Sequence, residues 1–241
     1  MDRVIYLAMA GAKATMQRQD VIANNLANVS TTGFRAQMAA FRAVPVLGDG
    51  ASTRAYAIET TFGYNAEPGA VATTGRNLDV AMKGNAWLAV LGADGTEAYT
   101  RNGALDVNNE GVVVTRGGLP VQGDGGPITV PLNAQVMVGG DGTVTATVAG
   151  SKPQGVGRLK LVTPEAPLVR GDDGLFRGAD GDLPTDATAK VQPEALEGSN
   201  VSAVESMVAM ISAARQFEQQ MKLLQTAQER EQSASRLLSG S

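Results

Sequence analysis

With no cysteine and no histidine in 241 residues, any chemistry this chain performs falls to carboxylates, amides and hydroxyls. That removes disulfides, thiolate nucleophiles, the usual zinc ligands and the side chain most used as a general base near neutral pH. Asp106, Asn108, Glu110 and Gly111 begin like a calcium loop, but the twelfth position falls on Gly117, where a bidentate Glu is needed. The spacing reads instead as a turn between strands. Asp172, Asp173, Asp180 and Asp182 match no ligand scheme and read as solvated turns. Gly139, Gly140 and Gly142, and the glycines of 123–126, have no helix behind them to make a phosphate cradle. Carboxylate pairs for glycoside hydrolysis exist in any acidic β domain, and nothing singles out one pair. Trp87, the sole Trp, lies in an apolar run and reads as core. The expectation is no catalytic, cofactor or metal residue, and no enzyme.

What the chain does carry is a pair of helical ends. Residues 201–238 hold no Gly and no Pro, although the chain has 29 Gly and 10 Pro. Met207, Met210, Ala214, Phe217, Met221 and Leu224 alternate by three and four, a coiled-coil seam, and Val204, Val208 and Ile211 widen it. Ser199 or Asn200 is the expected N-cap, with Glu205 in the first turns. Taken alone, this helix fits a coiled coil or the core of an ordinary domain. The first thirty residues mirror it: Ile5, Met9, Ala12, Met16, Gln19, Ala23 and Leu26 form a second seam, and residues 28–33 read as its stop. Gln19, Asn24, Asn25 and Asn28 either fix register as buried amides or face water at a fraying end. Both readings stand. Two such helices suggest pairing with each other, and their wide stripes leave apolar surface for neighbouring chains.

Net charge of −4 argues against a general nucleic-acid binder. No apolar run is long enough to insert in a membrane. A short apolar stretch from Val4 to Ala12 loosely resembles a cleaved signal, but Asp2 offsets Arg3 and the helical period runs on through Lys13. Export, if it occurs, is expected without a cleaved signal peptide.

The middle differs in kind. All ten Pro lie between Pro45 and Pro193. Residues 36–75 read as an extended connector, and 76–198 as a β-rich domain with a turn-rich return. Short strands are expected at 78–82, 86–90, 111–115, 128–130, 135–138, 144–148 and 158–162. Asp94-Gly95, Asn102-Gly103 and Asp141-Gly142 are hairpin or tight-turn signals. The expected fold is α+β. Long helices at 1–35 and 199–241 pair as a coiled coil, with an inserted antiparallel all-β domain and the connector.

The run from Ala23 to Arg35, with Asn24, Asn25, Leu26, Asn28, Thr32, Gly33 and Phe34, resembles the N-terminal signature of bacterial flagellar rod and hook proteins. Residues 196–201, and on through Phe217 to Lys222, resemble that family's C-terminal signature. The stretches 76–81, 99–103 and 157–162 are similar to its β domain. The opening six residues and the length look most like the proximal-rod members, with distal-rod and hook subunits as the alternatives.

The resemblance implies a structural subunit of the basal-body rod that packs through its terminal helices and transmits torque from motor to hook. Implied partners are proximal and distal rod subunits, copies of itself and the flagellar type III export gate, with no nucleic acid and no membrane insertion. No cofactor is implied. The implied location is the rod where it crosses the periplasm. Ile5, Met9, Met16, Leu26, Val204, Met207, Ile211, Phe217, Met221 and Leu224 are the expected packing residues, the methionines suiting contacts of varied geometry. A Phe-x-x-x-apolar segment from Phe34 to Met38 fits either an export-gate signal or local packing of Phe34. Two readings of other classes remain: a secreted cell-wall hydrolase docked through its helices, and a scaffold with a fixed oligomer in solution.

Overall fold

Each proline-free end of the chain is a helix: α1 spans Asp2–Ala27 and α2 spans Ala203–Ser239. This computed structural model describes residues 2–45 and 55–239. The fold is α+β, with an antiparallel β region between the helices. α1 stops at asparagines that satisfy its last carbonyls. The Asn28 side chain and amide both donate to the carbonyl of Asn24, at 2.9 and 3.2 Å. Gly33 then turns the chain at φ 69°, a conformation that favours glycine. α2 is capped by Ser202, whose hydroxyl accepts from the Glu205 amide at 3.3 Å. The expected caps Ser199 and Asn200 lie too far upstream. Asn200 is engaged elsewhere, its amide on Phe34 and its side chain on Glu67. No described helix is long and apolar enough to cross a membrane.

The chain forms two compact units. One comprises Met1–Val29, Ala36–Asn65 and Val201–Ser241; the other comprises Ser30–Arg35 and Ala66–Asn200. In the first, α1 packs against α2 and against a ribbon of β1 (Gln37–Pro45) and β2 (Ala55–Tyr64). The ribbon is antiparallel, pairing Gln37 with Tyr64 at one end and Pro45 with Ala55 at the other. The expected connector at 36–75 therefore holds a strand pair, and from Val71–Thr73 a further strand, β3. The reason lies in composition. Both strands are rich in β-branched, aromatic and small residues that fit a pleated backbone. Gly48, Gly50 and Arg54 lie outside the described residues.

The second unit holds β4 (Val80–Met82), β5 (Trp87–Leu91) and β6 (Glu97–Thr100). A five-stranded antiparallel sheet runs Leu161–Val162, β5, β6, Phe176–Arg177, Val169–Arg170. A three-stranded sheet joins Gln135–Val138, Thr143–Thr147 and Gln154–Arg158. β4 pairs with Val191–Pro193, and β3 with Ala195–Glu197. Val80, Leu88, Val90, Leu105, Val121 and Val144 form the centre of the core.

Two strand expectations change. Residues 128–130 form no continuous strand: Thr129 bridges Val112, the Ile128 and Val130 amides donate to the Val121 and Gly111 carbonyls, and Pro127 and Pro131 offer no donor on either side. The run 158–162 splits between two sheets. Gly95 and Gly142 take the positive φ expected of turns. Gly103 does not: a Cβ there would lie 1.7 Å from the Val80 carbonyl oxygen, so close backbone approach demands it.

Candidate functional site

Small residues set how α1 meets α2. Ala8, Ala12 and Ala213 are buried, and a Cβ added at Gly11 would meet the Gln220 side-chain amide at 3.2 Å. The α1 residues turned inward include Ala8, Ala12, Thr15, Gln19, Ile22 and Leu26, again spaced by four and three. This line runs beside the seam expected from sequence and shares Ala12, Gln19 and Leu26 with it. On α2 the half-buried line includes Met210, Phe217 and Leu224, with buried Ala213 between. Val21 and Ile22 are also buried, on the stretch of α1 facing the ribbon.

Ile5, Leu26, Phe217 and Leu224 are thus half-buried in this unit, whereas Met9, Met16, Val204, Met207, Ile211 and Met221 stand between 40% and 73% exposed. Val208 and Leu223 join them. Val204, Met207, Val208 and Ile211 fall on one side of α2 at helical spacing, an apolar stripe no described residue covers.

The asparagine-rich signature divides between the two units. Asn24 is exposed. Asn25 grips β1 from within the helical unit: its Nδ2 donates to the Gln37 carbonyl at 2.9 Å, and its Oδ1 accepts from the Gln37 amide at 2.7 Å. That copies a strand's own two-bond pairing and explains an amide at this position. Thr32, Gly33 and Phe34 belong to the β unit. A Cβ on Gly33 would fall 2.3 Å from the Arg101 carbonyl carbon, and the Gly33 amide donates to the Glu197 carbonyl at 2.8 Å. Phe34 is buried under the Arg170 guanidinium, 4.7 Å from its ring centroid. Burial holds that guanidinium's pKa below the ordinary arginine value.

Sequence reasoning missed what anchors this segment. Arg35 and Arg101 are both 2% exposed, and both reach Glu197, which is fully buried at the end of its strand. Arg35 Nη1 lies 2.6 Å from Oε1, and Arg101 Nη2 lies 2.5 Å from Oε2 with Nε at 2.9 Å. The Gly69 amide also donates to Oε1, at 2.9 Å. Arg35 Nη1 also donates to the Glu67 carbonyl, while its buried Nε has no partner among the described residues, and Arg101 donates to the carbonyls of Met82, Gly84 and Ala86. Arg101 also sits 5.9 Å from the Trp87 ring centroid, and Trp87 packs on Phe176 at 4.7 Å. Burial lowers the Arg101 pKa, opposed by Glu197 and reinforced by Arg35. The visible signal was charged residues set among glycines that allow close approach: Gly33, Gly69, Gly103 and Gly198. Nothing in it said which charges meet.

Asn108 and Asp173 are engaged locally. Asn108 Oδ1 accepts from the amides of Glu110 and Val112, and Asp173 pairs with Arg177 at 2.8 Å. No group of three or more metal-ligating side chains gathers among the described residues. The arrangement offers contact surfaces and a buried charge cluster.

Comparison with known proteins agrees along the whole chain. Residues 5–35 match the family described as Flagella basal body rod protein, residues 81–146 the Flagellar hook protein FlgE/F/G D1 domain, and residues 192–237 the Flagellar basal body rod FlgEFG protein C-terminal family. The chain is 46% identical over 252 residues to flagellar basal-body rod protein FlgF of Salmonella typhimurium, covering 99% of each. It is 45% identical over 250 residues to FlgF of Escherichia coli, again covering 99% of each. Flagellar basal-body rod protein FlgG of Agrobacterium fabrum is 31% identical over 255 residues, with 94% of this chain and 96% of that protein covered.

Proposed function

The chain belongs to the FlgF-like family of flagellar basal-body rod proteins, and from that premise we propose that it enters the rod through the exposed faces of its two terminal helices. It is a structural subunit of the flagellar basal body and not an enzyme, and its partners are other rod and hook subunits. In the finer reading, α1 and α2 supercoil as an inner layer. Copies of this chain and proximal and distal rod subunits cover Met9, Met16, Val204, Met207, Ile211 and Met221. The assembled rod carries torque from motor to hook across the periplasm. The chain reaches its place through the flagellar type III export gate.

The observation that carries this reading is the stripe of Val204, Met207, Val208 and Ile211. Burying each fully against a neighbour contributes roughly 1.5 to 3 kcal/mol, enough in sum to drive association once the cost of ordering is met. Ile211→Asp places a charge in that stripe without touching the β unit. The expected result is a soluble protein with native Trp87 fluorescence and cells that fail to swim. Wild-type swimming would remove the reading. Leu26→Asp should also block incorporation, but its half-buried site makes it the less selective variant.

A further inference from the structure

Between its two units the chain crosses four times, at 29/30, 35/36, 65/66 and 200/201. Inside the β unit, the residues next to these crossings are bonded to one another. The Arg35 guanidinium and the Asn200 side chain both donate to the Glu67 carbonyl, each at 2.8 Å. The Asn200 amide donates to the Phe34 carbonyl, the Gly33 amide to the Glu197 carbonyl, and the Gly198 amide to the Ala70 carbonyl. One carboxylate stands at the centre. Glu197 Oε1 takes Arg35 and the Gly69 amide, while Oε2 takes Arg101, which is rooted in carbonyls at Met82, Gly84 and Ala86 next to β4 and β5.

We propose that Glu197, gripped by Arg35 and Arg101, is a mechanical clamp that ties the chain crossings together and passes force from them into the β sheet. A buried ion cluster is a costly way to gain stability, since apolar residues of equal volume often do as well. What it supplies here is a joint with several bonds loaded at once. Force on residue 35 or 200 is shared across Glu67, Glu197 and Arg101, so the segments 30–35 and 195–200 cannot be peeled away one bond at a time. Arg170 over Phe34 and Phe176, and Trp87 against Phe176 and Arg101, link the same residues by ring contacts. The biological meaning rests on the reading as a torque-carrying rod subunit. The physical claim stands on the isolated chain.

The chain has no cysteine, so pairs of introduced cysteines give unique handles for single-molecule pulling on the full-length protein. Ser30→Cys with Ser202→Cys, both exposed positions, loads the β unit through its crossings. Glu110→Cys with Lys152→Cys, two exposed positions outside the strands, loads it through its interior. Glu197→Gln should make unfolding at constant load at least about tenfold faster through the crossings, with much less change through the interior. Arg35→Lys, which keeps the charge but shortens the reach of the nitrogen that holds both Glu197 and Glu67, should do the same and serves if Glu197→Gln does not fold. Leu88→Ala, a core truncation, should weaken both directions alike. Equal acceleration of Glu197→Gln or Arg35→Lys in both directions, or none in either, would overturn the clamp. Neither result would touch the assignment as a rod subunit, which the swimming assay tests.

Discussion

The backbone amide of Gly33 donates to the carbonyl of Glu197 at 2.8 Å, joining the turn after the first helix to the strand before the last. The two ends of the β unit are therefore sewn together in backbone, and Arg35 repeats the stitch in side chain. Four predictions follow from this and its neighbouring contacts.

Gly33→Ala should destabilise the β unit. The residue sits at φ 69° and its new Cβ would fall 2.3 Å from the Arg101 backbone, which cannot step aside as a side-chain tip could. A positive-φ penalty alone is about 1 to 2 kcal/mol, and the clash adds to it. Urea titration followed by Trp87, 1% exposed within this unit, reads the loss directly. An unchanged midpoint would mean that the 30–35 segment does not dock in solution.

Asn25→Ala should loosen β1 from α1 and cost about 1 to 2 kcal/mol for two lost bonds in a partly buried site. Asn25→Asp should be worse at neutral pH, since it sets a carboxylate oxygen against the Gln37 carbonyl. Hydrogen exchange at the Gln37 amide is the measurement. Faster exchange in both variants is expected, with the aspartate variant recovering as the pH is lowered enough to protonate it.

Tyr99 makes the alkaline limit of the β unit. Its hydroxyl donates to Glu97 at 2.8 Å and accepts from the Leu183 amide at 2.6 Å. Burial, foremost, then the bond and charge of Glu97, hold its pKa above the ordinary phenol value. A raised acid pKa favours the protonated fold. Its contribution is intact below about pH 10, where the unfolded phenol titrates, and falls away as pH rises toward the folded value. Tyr99→Phe should remove this pH dependence, and absorbance titration of the four tyrosines should show one that ionises only with unfolding.

Exchange on the whole protein should place the amides of Gly33, Gly69 and Gly198 in the slow class with the β5 core. Their acceptors lie at 2.8 to 2.9 Å, on the Glu197 carbonyl, the Glu197 carboxylate and Ala70. The slow region then extends to residues 30–35 and 195–200, beyond the strands that alternation marks out. Fast exchange at Gly33 beside a slow β5 would show the first segment undocked.

What the sequence determined by itself was the kind of structure in each region. Pro and Gly are confined almost wholly to the middle, so helices can grow only at the ends. The order of helix, β region and helix, and the stop at residues 28–33, follow from local backbone preferences. The long asparagine-rich run was legible as a family signature in the same way, because it is contiguous.

Tertiary structure alone decided which flank of each helix turns inward. A three-four pattern leaves two adjacent stripes apolar, and the choice fell to Ala8, Gly11, Ala12 and Ala213, whose small size lets the helices approach. The methionine stripe that hydrophobicity alone favours is left exposed. It also decided that Arg35, Arg101 and Glu197 share one buried site. No periodicity links residues so far apart, and a charged side chain carries no local mark of burial. Its partners exist only once the crossings have been folded onto one another.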